Sequence, residues 1–284
     1  MILVDIGNSG LRATRVEDGK CFSRERVFRL SWVAASAPHR KPSPEQLSDP
    51  DQRWCGLDDR QAFEWLLDHF SQFPNERWRI SSVQRVAIEQ LQRCLADRID
   101  MKWIQTIQQS DIPIPNSVLE PQKTGLDRLL AAWGGFHWAR EKRIPLPLII
   151  VQAGTAVTVD WIDAQGTFCG GAIMPGLGLS LQFLAAGTDL LPWLSNHVVN
   201  TMPDIPGRNT TQAIAAGVHA ALVGGTIYLI DRYRKSCFTP HATHVLVTGG
   251  DGKLLMPHVT GHATMVEHLV LRGLSVLDVN PTAG

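Results

Sequence analysis

The sequence predicts a duplicated α/β fold: two related domains facing each other across a nucleotide-sized cleft. Three observations lead there. The chain matches itself at a constant offset of 147 residues. Strand-like apolar runs alternate with helical patterns in both halves. A proline-rich stretch separates the halves, and 284 residues suffice for two cores of ordinary size.

The repeat sets residues 2–28, ILVDIGNSGLRATRVEDGKCFSRERVF, over residues 149–175, IIVQAGTAVTVDWIDAQGTFCGGAIMP, without a gap. Each copy opens on an apolar run, Ile2 to Val4 and Ile149 to Val151. Asp5-Ile6-Gly7-Asn8 then lies over Gln152-Ala153-Gly154-Thr155. A second extended segment ends in a turn, Asp18-Gly19 over Gln165-Gly166, and a third follows. Short apolar runs bounded by turn residues read as strands, and D-G before another run is a hairpin signal. Each half therefore begins strand, tight turn, strand, turn, strand.

Residues 35–58 are rich in Pro, Ser, Asp and Arg and read as a long surface loop. Residues 59–73 put Phe63, Leu66, Leu67 and Phe70 on one helical face. Arg77 to Ser82 reads as a strand, Val83 to Leu95 as a helix and Met101 to Ile107 as a strand. Three prolines in residues 110–122 mark the junction, giving domains 1–117 and 118–284, with the final segment free to pack back on the first. Gly125 to Arg140 reads as a helix. The second repeat ends at Pro175-Gly176 and a helix follows through Leu184. Thr211 to Arg232 is a long apolar helix, His244 to Thr248 a strand, and Gly249 to Gly252 a glycine-rich turn.

Composition narrows the function classes. Lys+Arg and Asp+Glu are both 27, so no basic footprint points to nucleic acid. Five scattered cysteines (Cys21, Cys55, Cys94, Cys169, Cys237) form no C-x-x-C pair and suggest reduced thiols. The opening MILVDIGNSG lacks a basic n-region, and no run reaches the ~18 uninterrupted apolar residues of a membrane helix. The expectation is a cytoplasmic protein with no membrane or nucleic-acid partner.

Four constellations can carry chemistry. Asp5-x-Gly7-Asn8-Ser9 ends the first strand; Gly7 permits close backbone approach, exposed N–H groups suit phosphate oxygens, and Asp5 can hold Mg²⁺. Alone, so short a motif reads first as a strand-end carboxylate capping a turn. Gly154-Thr155-Ala156 is its twin, and two such loops make a nucleotide clamp. Gly125-Leu126-Asp127-Arg128 opens a helix, where Asp127 can take a substrate proton and Arg128 can pair with an anion; an ordinary helix start with a solvated Arg is the commoner explanation of such a tetrapeptide. Thr248-Gly249-Gly250-Asp251-Gly252 lets an adenine approach the backbone or is a plain strand-to-helix turn. His241/His244 and His258/His262 lack acidic or Cys partners and read as packing residues. Walker A and G-x-S-x-G patterns are absent from the sequence.

At these residues the sequence resembles the type III pantothenate kinases, a branch of the acetate kinase/sugar kinase/Hsp70/actin superfamily. The stretches that carry the resemblance are VDIGNSGLRAT, ISSV, TGLDR, AGTAVTVD, GGAIMPGLGLSLQFLAAGTDLLP, TTQAIAAG, VTGGDG and LVLRGLSVL. The resemblance implies two ribonuclease H-like domains of the actin/hexokinase type and ATP-dependent phosphorylation of the pantothenate 4′-hydroxyl, the first step of coenzyme A synthesis. It implies that Asp5, Ile6, Gly7, Asn8, Ser9, Gly10, Leu11 and Arg12 form the first phosphate loop, with Mg²⁺ at Asp5, and that Thr155 contacts ATP. It places pantothenate at Gly125, Leu126, Asp127, Arg128 and Thr188, with Asp127 as proton acceptor. It also implies a homodimer and a monovalent cation, K⁺ or NH4⁺, at the position of Gln152.

Two positions depart from the family pattern. Gln152 stands where an Asp usually ligates the monovalent cation, and Val118 stands where a Tyr usually lies near pantothenate. Two other readings follow from them. One is a non-catalytic accessory relative that binds nucleotide, since some relatives were first described as transcriptional accessory factors. The other is a kinase of this fold for another small hydroxylated substrate. The retained Asp5 and Asp127 favour the pantothenate kinase.

Overall fold

The computed structural model describes residues 1–17, 27–31, 59–70, 72–73, 75–199, 203–236 and 243–278. The Asp18-Gly19 turn, the 35–58 loop, Cys21, Cys55, Cys237 and His241 lie outside them. The chain divides into two compact units. Met1–Pro113, Gly125–Leu130 and Val270–Gly284 form the first, and Ile114–Thr124 with Ala131–Leu269 the second.

The first unit holds strands β1 (Ile2–Gly7), β2 (Gly10–Arg15), β3 (Phe28–Ser31), β4 (Trp78–Ser82) and β5 (Ile104–Thr106) in the order β3-β2-β1-β4-β5. β1 and β2, and β2 and β3, pair antiparallel, whereas β4 runs parallel to both β1 and β5. Alternation along β1 sends Ile2, Val4 and Ile6 to one face. There they meet Trp78 and Ile80 of β4 and the apolar faces of helices α1 (Asp59–Phe70) and α2 (Arg85–Ala96). The opposite face carries Leu3 and Asp5 beside Arg79 and Ser81, their registered partners on β4. Each predicted element is there. The strand expected over 101–107 is shortened because Met101–Trp103 winds into a 3₁₀ turn capped by the Asp100 carboxylate, which accepts from the Lys102 amide.

The second unit repeats the pattern. Strands β6 (Leu148–Ala153), β7 (Ala156–Ile162), β8 (Phe168–Pro175), β9 (His244–Thr248) and β10 (Ala263–Met265) lie in the order β10-β9-β6-β7-β8. β7 pairs antiparallel with both β6 and β8, and β9 pairs parallel with both β6 and β10. Each sheet thus has the ribonuclease H-like order, three antiparallel strands followed by two parallel ones, as predicted.

Helices α4 (Leu177–Ala186) and α5 (Thr210–Lys235) cover one face of this sheet through Leu177, Leu181, Ile214, Val218, Leu222 and Ile230. α5 is long and apolar enough by length and composition to cross a membrane. Its Ile214, Val218, Leu222, Thr226 and Ile230, spaced at four residues, form a buried stripe. On the other face α3 (Leu126–Glu141) brings Gly135 against Ile150 and Leu246. A short helix α6 (Gly252–Leu255) follows the glycine-rich turn. The chain re-enters the first unit in α7 (Leu269–Ser275).

The gapless repeat slips at two places. Gly7 pairs with Gly10 across a two-residue turn, but Ala153 pairs with Val157 across three residues. Phe28 pairs with Ala13, whereas its counterpart Pro175 pairs with Ala156, the counterpart of Ser9. The β2–β3 connection is therefore four residues longer than its twin. Edge strand β8 is irregular: its ladder with β7 shifts register between Asp160 and Ile162, Gly170 sits at φ +92°, and Phe168 bridges to Asn116.

Candidate active site

In the first unit the carboxylates of Asp5 and Asp127 share one electrostatic neighbourhood. Asp5 is 4% exposed at the end of β1. Its Oδ1 accepts from the Ser81 hydroxyl at 3.1 Å, and its Oδ2 lies 3.4 Å from Nη1 of Arg12, its cross-strand neighbour. Burial pushes the Asp5 carboxyl above the ordinary range; Arg12 opposes this and the Asp127 charge adds to it. Asp127, in the first turn of α3, is also raised by burial. The Arg128 amide, donating to its Oδ1 at 2.9 Å, and the charges of Arg128 and Arg12 hold that rise back. Gly125 makes room for this carboxylate, because a Cβ there would come within 2.7 Å of Asp127 Oδ1.

The hairpin tip is fixed by the strand that runs beside it. Gln84 Nε2 donates to the Asn8 carbonyl at 3.0 Å, and Ser82 and Gln84 bond each other through Ser82 Oγ. Asn8 and Ser9 are exposed, whereas Ile6 and Leu11 point into the core, so those two can meet a ligand only through their backbone. A Cβ on Gly7 would touch nothing closer than the Gly10 carbonyl at 3.5 Å. Internal packing therefore leaves that position open to a larger residue.

The second unit holds its counterpart loop differently. Gly176 and Gly249 press their backbones against the carbonyls of Gly154 and Ala153, and a Cβ on either would overlap them. Gly249 is also at φ +97°. The Asp251 and Gly176 amides donate to the Ala153 and Thr155 carbonyls at 3.1 and 3.0 Å. Gln152 Nε2 reaches the Thr158 hydroxyl at 3.4 Å, and that hydroxyl donates to Oδ2 of the fully buried Asp160 at 3.0 Å. Burial alone raises Asp251 from 3.8 to about 6. Thr188 is exposed, with its hydroxyl donating to the Leu184 carbonyl at 2.6 Å. Val118 lies near Gly170, where a Cβ would come within 3.2 Å of its Cγ1. The histidine pairs are His244 stacked on His262 and His219 against His258.

A model of the type III pantothenate kinases matches residues 1–232. The chain belongs to the type III pantothenate kinase family. It is 38% identical over 201 residues to a type III pantothenate kinase of Rhodopirellula baltica, spanning 69% of this chain and 70% of the relative. It is 30% identical over 261 residues to that of Herminiimonas arsenicoxydans, spanning 89% and 94%. A crystal structure of a conserved Campylobacter jejuni protein, described as a Baf family transcriptional activator, superposes with a TM-score of 0.54 at 19% identity. It covers 98% of this chain and 96% of that one, a likeness of fold alone.

Sequence reasoning overlooked the contacts of Ser81, Gln84 and Asp160 and the burial of the Asp251 carboxyl. Ser81 lies within the ISSV stretch, and its position opposite Asp5 follows from aligning β4 parallel to β1. Asp160 sits two residues beyond Thr158 on the same strand face, where the T-x-D spacing was the available signal.

Proposed function

We propose that this type III pantothenate kinase is a phosphotransferase that moves the γ-phosphoryl group of ATP to the 4′-hydroxyl of pantothenate. Beyond family membership, the observation that carries the reading is the charge cluster that Arg12 and Asp127 form around the buried Asp5 carboxylate. Phosphoryl transfer asks mainly for positioning and charge neutralisation. The cluster supplies a carboxylate for the hydroxyl proton, a guanidinium for developing charge and a second carboxylate for a divalent ion.

In this reading Asp127 is the proton acceptor, and burial keeps it more basic than a surface carboxylate. Gly125, Leu126, Arg128 and Thr188 hold pantothenate. The backbone and side chains of Asp5 to Arg12 take the phosphates, with Thr155 as the ATP contact from the second hairpin. Asp5 fits Mg²⁺: it is a hard oxygen donor at the end of β1, next to the exposed hairpin tip of Asn8 and Ser9, and Mg²⁺ is commonly held by one or two carboxylates together with substrate phosphates. When bound, it would neutralise phosphate charge.

The Gln152 position does not fit a charged site for K⁺ or NH4⁺. The side chain is neutral, its amide nitrogen is directed at Thr158, and the nearby Asp160 carboxylate already accepts from that threonine. No step is assigned to a monovalent cation. The reading also makes the protein a cytoplasmic homodimer acting on small molecules, with neither nucleic acid nor membrane as partner.

The test is ADP release from MgATP with and without pantothenate, beside an Asp127→Asn protein. Pantothenate-dependent turnover that falls by about 10²–10⁴ in the variant supports the reading. ATP binding without turnover would favour the accessory role. Turnover only with another alcohol would move the substrate assignment.

A further inference from the structure

The sheet face that carries Asp5 and Ser81 also carries Arg79, and Arg79 has its own task. It is 9% exposed, and its Nη1 donates to the carbonyl of Leu274, in the last turn of α7, at 2.9 Å. A guanidinium this buried is costly unless hydrogen-bonded. Here it grips the end of a helix, where carbonyls are unsatisfied and cations are favoured. One residue before Leu274, Gly273 meets the backbone of Leu130 so closely that any Cβ would overlap the Leu130 carbonyl. Leu130 follows Asp127 by three residues, which puts the two on one face of α3. Leu271 and Leu274 are fully buried around this contact, as is Leu130.

We propose that Gly273 and Arg79 are positioning residues for phosphoryl transfer. The C-terminal helix, anchored on β4 by Arg79, fixes the first turn of α3 and thereby the placement of Asp127 beside Asp5. The inference rests on Asp127 being the proton acceptor. It assigns a part in the chemistry to a segment, residues 270–275, beyond the 1–232 stretch that matches the family model. A single methyl at Gly273 has to push α7 away from Leu130 or tilt the start of α3, and a displacement near 1 Å costs on the order of 10²-fold in rate.

The experiment is steady-state kinetics on full-length Gly273→Ala, Arg79→Met, Arg79→Lys, Asp127→Asn and Gly273→Ala/Asp127→Asn proteins, normalised to folded fraction. Gly273→Ala is expected to lower kcat by about 10–100-fold with both KM values within about twofold. In the Asp127→Asn background the same change should cost less than about twofold, because groups acting as a unit are not additive. Arg79→Met should show the same pattern more weakly, and Arg79→Lys should recover part of the loss. An unchanged kcat per folded molecule in Gly273→Ala, or an equal loss in both backgrounds, overturns the proposal. If Gly273→Ala does not fold, an unchanged kcat in Arg79→Met overturns it. Full turnover by Asp127→Asn would remove the base assignment and this proposal together, a result separable from the others.

Discussion

The two hairpins occupy the same place in two sheets of the same order, yet one is charged and the other neutral. In the first, Asp5 faces Arg12 across β2 and Ser81 across β4. In the second, Gln152 faces Thr158 across β7 and Thr248 across β9. The scaffold contributes the same thing twice: a tight turn between the first two antiparallel strands of its sheet. The side chains at the matched positions divide the labour. The first copy carries a buried carboxylate and, across the strand pair, a part-exposed guanidinium. At the matched strand positions the second carries only uncharged donors and acceptors, Gln152 and Thr158, and its fully buried carboxylate, Asp160, lies two residues deeper on the strand. A duplicated fold therefore does not imply a duplicated site.

Equalising the copies should break the enzyme. Asp5→Asn puts a neutral amide where the second hairpin has Gln152 and leaves Arg12 without its carboxylate, and turnover should fall by about 10²–10³-fold in an ADP-release assay, the scale of losing an electrostatic group from a preorganised site. The second largest effect concerns Asp251, the carboxylate beside the second turn. Its folded pKa of about 6 lies above its ordinary 3.8, so the protonated form favours folding. Its cost to stability is absent below about pH 4 and grows as pH rises through 6, by at most about 3 kcal/mol. Asp251→Asn should raise Tm at pH 8 and leave it nearly unchanged at pH 4 in scanning calorimetry.

Smaller effects sharpen the contrast. Ser81→Ala removes a hydroxyl from the Asp5 carboxylate and should cost about 1–2 kcal/mol in urea unfolding, whereas Thr248→Val, at the matched position, should cost less. The smallest effect is a gain. The parent enzyme should run at equal rate, within about twofold, in K⁺ and in a bulky organic cation, while Gln152→Asp should acquire a K⁺ stimulation of several-fold. Equal K⁺ stimulation in the parent would show that the neutral hairpin binds the ion after all.

Much of this arrangement was legible in the sequence because it is written in local pattern. Apolar runs and turn residues located β1, β6 and β9, and the 3.6-residue spacing of Phe63, Leu66, Leu67 and Phe70 located α1. Asp5 and Asp127 stood out because carboxylates beside glycines at element ends are chemically conspicuous. What was missed depends on register between distant segments. Ser81 matters only because β4 runs parallel to β1 and sets it opposite a residue 76 positions away. Gly273 reads as an unremarkable glycine in an apolar stretch until the Leu130 backbone is found against it. The slips of one and four residues between the copies were equally invisible, since a gapless match cannot report where the ladders pair.

The irregular strand β8 bears on how the chain behaves at high concentration. An eight-residue strand at the rim of a sheet offers a row of backbone donors and acceptors to any other extended chain, the template from which aggregates grow. Here the rim is spoiled as a template. The left-handed backbone at Gly170, the register shift opposite Asp160 and the bridge to Asn116 bend it and occupy its start. A β-branched residue at Gly170 would strain that backbone and favour a straighter rim. Its first symptom should be inclusion bodies during expression, ahead of any change in the kinetics of the molecules that remain folded.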